Sequence, residues 1–321
     1  MIKEMALAFN KLLGQLMPAL VPVGIALGFL MPDVFIHLRP LVPWLFGLLT
    51  LAGALRLRIA EFGGTIREPL PIFAFLVSSH IIMPLVAMFA ANTFFSHDPD
   101  VITGFILLFS GPTAVSGFIW VTIFRGDRAL CLTLILLATL LSPIVMPGTV
   151  FVLIGARVAI NIGSIAFSLI LMVVIPTIIG VATNELSRGK VPELVCPYID
   201  PISKITVLLV IAANMAPVAA TIRFYDLRIW GVAALCIALS IVGFLMSKLV
   251  SLVSRCNHEK SVTLLFSCGM RNMNAGIIIA VSFFPEAAAL PALLGILFQQ
   301  SVAALMGKLL GRKKNQEISK N

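Results

Sequence analysis

Residues 101–124 read VITGFILLFSGPTAVSGFIWVTIF, and residues 262–284 read VTLLFSCGMRNMNAGIIIAVSFF. Each run is long enough to cross a bilayer as a helix, which takes about 20 mostly apolar residues. Each is also interrupted near its middle. The first interruption is Ser110-Gly111-Pro112-Thr113-Ala114-Val115-Ser116-Gly117. The second is Ser267-Cys268-Gly269-Met270-Arg271-Asn272-Met273-Asn274-Ala275-Gly276. Proline has no backbone N–H to give a helix, and glycine weakens one. Lipid cannot bond the backbone groups that an interruption frees. Such segments therefore persist only where protein buries them or where they line a cavity.

The rest of the chain fits a membrane setting. Of 321 residues, 60% are hydrophobic and 12% charged, and the mean hydropathy is +1.07. Soluble domains carry about 25% charged residues, so a soluble enzyme and a disordered chain are both excluded. Five cysteines without framework spacing exclude a secreted disulfide scaffold. Ten stretches qualify as spans, roughly 12–31, 40–55, 71–92, 101–124, 129–153, 162–183, 205–222, 229–250, 262–284 and 287–309. The second and seventh are short. The runs are continuous and lack a period of two, so helices rather than strands are expected. No small-residue cleavage site follows Lys3, so the N-terminal run reads as a span and not as a signal peptide.

Charge supports this count. With ten spans both termini share a side. That side collects 18 of the 23 basic residues, including Arg56, Arg125, Arg128, Lys204, Arg255 and the tail from Lys308 to Lys320. The opposite side has four, Arg39, Arg157, Arg223 and Arg228, and Arg271 alone lies within a span. By the positive-inside rule the termini are cytoplasmic. The net charge of +9 then reflects topology, and nucleic acid is not an expected partner. All 14 carboxylates fall in loops or tails, so the usual residues for binding cations or relaying protons inside a membrane are missing.

The two interruptions lie five spans apart, in the fourth span of each half. Because five is odd, two five-span halves have opposite orientations in the membrane. Paired interruptions of inverted halves point to a transporter's binding site. The competing reading is that small residues there only allow close packing. Pro84, Pro143, Pro147, Pro176 and Pro217 read as kinks. The expected fold is thus an all-α polytopic membrane protein of ten helices. It comprises two inverted five-helix repeats, residues 1–157 and 158–321, with crossed broken helices 4 and 9.

The stretches SGPTAVSGFIWVTIFRGDRALCLTLILLATLLSPIVMPG and FSCGMRNMNAGIIIA together resemble the bile acid:sodium symporter family. Its members share a Pro-Gly-Gly-Thr-Ala-Ser-Asn-like break, a small-residue Arg/Lys-Gly turn, a Ser-Pro, and a later Glu-Val-Gly-Met-Gln-Asn-like break. The resemblance implies a core holding crossed broken helices and a panel of spans one, two, six and seven that moves against it. It also implies organic-anion substrates such as bile salts, pantoate-like acids or 2-keto acids.

The departures from the family pattern concern sodium. The family's central sodium-ligating Glu aligns with Ser267, and its Gln aligns with Arg271. The Ser-Asn of the first break becomes Ser116-Gly117 or Gly117-Phe118. A ligating Ser and Thr of the fifth span align with Cys131 and Ile135, and a third-span Gln aligns near Ser79 and His80. Sodium, a hard cation, needs oxygen ligands, so coupling by the family's own ligand set is not expected. Sodium stays open as a co-substrate, and no cofactor or metal is expected. Thr113 and Asn272 match family positions near the organic substrate.

The substrate-binding set expected from these readings is Arg271, Asn272, Thr113, Ser116 and Asn274, with His80 and Ser267 as coupling candidates. Three readings are open to Arg271. Carbonyl groups at the C-terminal end of a half-helix can neutralise it. Its charge can stand in for sodium. Or its guanidinium can bind a substrate carboxylate in bidentate fashion. His80, the one histidine within a span, can carry a proton or simply pack. Asn214, Gln299, Gln300 and Ser301 are weaker polar candidates, better suited to interhelical hydrogen bonds. No intramembrane Asp pair, Ser/His pair or HExxH motif suggests an enzyme. The expected function is a secondary carrier of a small organic anion in the cytoplasmic membrane, surrounded by lipid. A sodium- or proton-coupled symporter of the same family, a channel and a non-transporting sensor are the alternatives.

Overall fold

The computed structural model describes residues 2–57, 69–155, 161–219 and 226–318. The expected repeat boundary at 157/158 lies outside the described residues. So do Arg58, Glu61, Arg67, Glu68, Arg157, Arg223 and Lys320.

Helix dominates throughout, as continuous apolar runs require. In chain order the helices are α1 (Ile2–Leu30), α2 (Pro32–Ala54), α3 (Pro69–Phe94), α4 (Pro99–Ser110), α5 (Gly117–Ile123) and α6 (Arg128–Ile154). The second half of the chain forms α7 (Ile162–Leu186), α8 (Lys190–Ala219), α9 (Leu227–Val253), α10 (His258–Gly269), α11 (Met273–Phe283) and α12 (Leu290–Ile318). Among the described residues seven helices are long and apolar enough to cross a membrane: α2, α3, α6, α7, α8, α9 and the stretch Glu286–Leu309. Shorter apolar helices are Leu20–Leu30 within α1, α4 and α11. The chain is therefore an all-helical, polytopic membrane protein.

The expectation that the second and seventh spans are short is corrected. α2 gains a first turn at Pro32–Phe35 and a 3-10 turn at Ile36–Leu41. α8 runs for 30 residues through Pro197 and Pro201. Each proline removes one N–H, and the bonds on either side hold the helix together. Polarity alone had marked that charged first part of α8 as loop.

Acids and amides that belong to loops by composition serve as helix caps. Asp98 accepts from Val101 N at the start of α4, Asp127 from Leu130 N at α6, and Asp226 from Arg228 N at α9. Asn161, Asn257 and Asn272 cap α7, α10 and α11 in the same way. A capping side chain bonds one of the orphan N–H groups of the first turn, typically worth about 1 kcal/mol.

Two groups of helices emerge from the packing. α1, α2, α7 and α8 pack mainly on one another. α3 to α6 and α9 to α12 pack around a core that includes Phe105, Phe109, Phe244 and Phe266, all fully buried. Polar contacts tie the helix ends within each of the two charge sets. Arg56 pairs with Asp200, and Lys204 donates to Asn10 Oδ1 and to its carbonyl. Asp127 N donates to the Glu259 carbonyl at 3.1 Å. All of these belong to the basic-rich set. At the opposite ends Arg228 pairs with Asp98 at 2.6 Å, and Arg39 donates to the Val281 carbonyl.

α1 lies against α8 through glycine. A Cβ at Gly28 would collide with the Ala212 carbonyl oxygen, and one at Gly24 would sit 3.0 Å from the Leu208 oxygen. Four-residue spacing of small residues lets membrane helices approach this closely. Gly28→Val is expected to cost about 1–3 kcal/mol through overpacking. A fall in the thermal midpoint of the purified protein checks this, and an unchanged midpoint would contradict the α1–α8 contact.

Candidate functional site

Both interruptions are real, and they meet. Backbone helix stops at Ser110 and resumes at Gly117 in the first. In the second it stops at Gly269 and resumes at Met273, so this break is narrower than the ten residues expected. The two unwound segments pair as an isolated antiparallel bridge between Thr113 and Arg271. Asn272 N donates to the Pro112 carbonyl at 2.8 Å, and Ala114 N donates to the Met270 carbonyl at 3.2 Å. The Thr113 hydroxyl reaches the carbonyls of Ser267 and Met270, at 2.8 and 3.1 Å. Backbone freed by one break thus bonds backbone freed by the other, as a dry environment demands.

α12 completes the junction. Gln299 Oε1 accepts from Arg271 N at 2.8 Å. Gln300 Oε1 accepts from Trp120 Nε1 at 2.8 Å, and its Nε2 lies 3.5 Å from Ser116 Oγ. Both glutamines were weak sequence candidates. Their partners lie 28 residues and more away, and only their polarity within an apolar run could have drawn attention to them.

A cavity of about 290 Å³ opens beside this junction, between the two helix groups. α2 and α7 supply Thr50, Leu49, Val173 and Thr177 on one wall. The other wall has Ser116, Thr139, Asn272, Asn274, Gln299 and Gln300. The hydroxyls of Thr50 and Thr177 bond their own helix, at the Phe46 and Val173 carbonyls. The free polarity therefore lies on the junction side. Asn274 Oδ1 has no hydrogen-bond partner. Asn272 Oδ1 accepts from Ala275 N as the α11 cap, which leaves the amide nitrogen for the cavity.

The structure divides the expected site residues. Ser116, Arg271, Asn272 and Asn274 border the cavity. Thr113, His80 and Ser267 do not. Thr113 is 1% exposed and fastens the breaks together. Arg271 borders the cavity but is itself 1% exposed. Its Nη1 points to the Gly111 carbonyl at 3.5 Å, and its guanidinium lies within electrostatic reach of His80 and Cys268. In this conformation the side chain is enclosed by protein, so its guanidinium is not open to bidentate contact with a cavity occupant.

His80 sits in a π turn of α3, Ser78–Ile82, which directly precedes Met83 and Pro84. Such wide turns take up the strain a proline places on the preceding turn. The ring packs edge-on against Phe75 and lies beside Ser110. A lone arginine at mid-membrane costs about 2.5–3.5 kcal/mol on insertion scales. Among the described residues no Asp or Glu is buried near it to offset this.

Residues 43–223 match the family model described as Sodium Bile acid symporter family. The chain is also 35% identical over 296 residues to the uncharacterized protein YbaS of Bacillus subtilis, across 92% of this chain and 97% of that one. The chain belongs to the sodium bile acid symporter family. This is a family of transporters rather than enzymes. A second Bacillus subtilis relative, named an uncharacterized sodium-dependent transporter YocS, is 23% identical over 96% of this chain and 95% of its own length. A chloroplastic protein of Arabidopsis thaliana, named probable sodium/metabolite cotransporter BASS1, is 26% identical over 83% of this chain and 66% of its own.

Gln299→Leu would leave the Arg271 N–H unpaired in a dry site, a loss of about 1–3 kcal/mol. Gln300→Leu, at an exposed position, should change stability by about 0.5 kcal/mol or less. Thermal unfolding of the two purified variants checks the order, and equal shifts would sink the role given to Gln299.

Proposed function

We propose that this protein carries a small organic anion across the cytoplasmic membrane by alternating access. The observation that carries the reading is the cavity at the crossing of the two breaks. It lies between two helix groups that pack mainly within themselves. Rocking one group against the other would expose that cavity to each side in turn. The chain would have ten helices in two inverted repeats, 1–157 and 158–321. α1, α2, α7 and α8 would form the moving panel, and α4–α5 and α10–α11 the crossed pair. The 18-to-4 division of basic residues supports cytoplasmic termini.

An anion fits the cavity on three grounds. Its polar groups are amides and hydroxyls rather than carboxylates. The N-terminal end of α11 is there, with its partial positive charge. Arg271 lies just behind, and its charge acts through a low-dielectric wall. Ser116, Asn272 and Asn274 would hold the anionic group. Thr113 and Arg271 would keep the crossing in shape and supply the field. The volume is at the low end for small-molecule sites, about 300–1,000 Å³. A pantoate-like or keto acid therefore suits it better than a bile salt.

The name of YocS suggests sodium dependence. The side chains at the expected sodium positions speak against it here, because Ser267, Arg271, Cys131 and Ile135 offer one hydroxyl, a cation, a thiol and a methyl-ended chain.

Proteoliposome uptake of radiolabelled pantoate, pyruvate and taurocholate, with sodium and pH gradients imposed separately, tests this. One of the two small acids should accumulate or exchange without sodium. Arg271→Gln should slow its uptake at least about tenfold, the loss of about 1.4 kcal/mol of attraction exerted by a fixed charge through a low-dielectric wall. Sodium-dependent accumulation would overturn the coupling, and undiminished binding in Arg271→Gln would overturn the anion reading.

A further inference from the structure

The guanidinium of Arg271 lies among an enclosed set of side chains that do not line the cavity. α3 brings Ser79 and His80, α6 brings Cys131, and α10 brings Ser267 and Cys268. Their proximity is mutual. His80 and Cys268 lie in the field of Arg271, Ser79 lies beside Cys268, and Ser267 lies beside Cys131. All six residues are 5% exposed or less.

The polar atoms of this set are mostly unpaired. Arg271 Nε and Nη2, Ser79 Oγ, Ser267 Oγ and both ring nitrogens of His80 are buried and make no well-formed hydrogen bond, although the thiols of Cys268 and Cys131 lie beside the two hydroxyls and the Ser110 backbone lies beside the ring. Buried polar atoms are paired in about 90% or more of cases, and a cluster of exceptions calls for an ion or water between them. Water could pair the hydroxyls, and the Gly111 carbonyl at the C-terminal end of α4, 3.5 Å from Nη1, offsets only part of the guanidinium charge. Among the described residues no buried carboxylate offsets the rest. The group is rich in donors and carries a fixed positive charge.

We propose that this enclosed cluster binds a small inorganic monovalent anion of the halide type. It is held by Nε and Nη2 of Arg271, the hydroxyls of Ser79 and Ser267, and one ring N–H of His80. A small ion is chosen because Arg271 is 1% exposed, so a bulky acid in the cavity does not reach it in this conformation. A spherical ion also suits donors drawn from two helices and the second break better than a planar carboxylate does. Such an ion needs no fixed pattern of lone pairs, whereas the arginine fork alone favours carboxylates.

The test uses the full-length protein in detergent micelles, with potassium gluconate replaced by potassium chloride at constant ionic strength. The thermal midpoint should rise saturably with chloride. Exchange of potassium for sodium should leave it unchanged. Chloride-35 NMR should show line broadening that competing bromide removes. Arg271→Gln should abolish both responses. The paired change Ser79→Ala and Ser267→Ala keeps the charge, and should raise the half-saturating chloride concentration about tenfold or more by removing two bonds to the ion. If Arg271→Gln does not fold, the serine pair decides. Identical midpoints and linewidths in chloride and gluconate, or a full chloride response in both variants, would overturn the proposal. Chloride binding is read without any organic substrate. A protein that ignores chloride yet takes up acids defeats this proposal alone, and one that binds chloride yet moves no acid defeats only the carrier reading.

Discussion

Everything at the centre of this protein depends on pairing two unwound stretches of backbone. A helix can be broken inside a membrane only if the freed N–H and C=O groups find partners in protein. Here Pro112, Ala114, Met270 and Asn272 bond across the crossing, and Thr113 and Gln299 take up remaining carbonyl and N–H groups. The bridge keeps four half-helix ends together at one depth. That convergence sets amides, hydroxyls and a helix N-terminus beside an opening between two helix groups, and so makes a binding cavity there. Removing any one partner would expose a backbone group that nothing else nearby can satisfy.

Arg271 makes the crossing electrically unusual. Its N–H and C=O belong to the bridge region while its side chain lies in the enclosed cluster. A single residue thereby influences both the open cavity and the enclosed cluster. Within a low-dielectric interior a fixed charge acts over several ångströms without contact. An anion in either compartment lowers the energy of the same guanidinium, so occupancies of the two compartments need not be independent.

Much of this architecture was legible in the sequence. Apolar run length, Gly111-Pro112 and the oddly placed Arg271 are local signals, and they located the helices, the breaks and the uncompensated charge. The membership of the symporter family was legible in two short motifs. What stayed hidden was tertiary. The sequence does not say that Gln299 bonds the Arg271 backbone, because that partner is fixed by how α12 packs. It placed Thr113 with the substrate, whereas its hydroxyl is spent on two carbonyls of the facing break. It shortened α8, because charge in the first part of the helix outweighs periodicity when composition is read in windows. It left the direction of the Arg271 side chain open, since an arginine is long enough to turn either way.

The π turn of α3 is where this arrangement tolerates a change of chain length. A wide turn holds one residue more than the helix around it would. Deleting a single residue from Ser78–Ile82 would restore regular helix with little net rotation, because five residues of a π turn sweep about the same angle as four of an α-helix. Met83, Ala87 and Ala91, now buried in the core, would keep their face. A deletion further along α3 has no such slack and would rotate everything beyond it by about 100°. In a gene for this protein, loss of one codon is therefore absorbed in the π turn, whereas elsewhere in α3 it reorients the rest of a membrane helix.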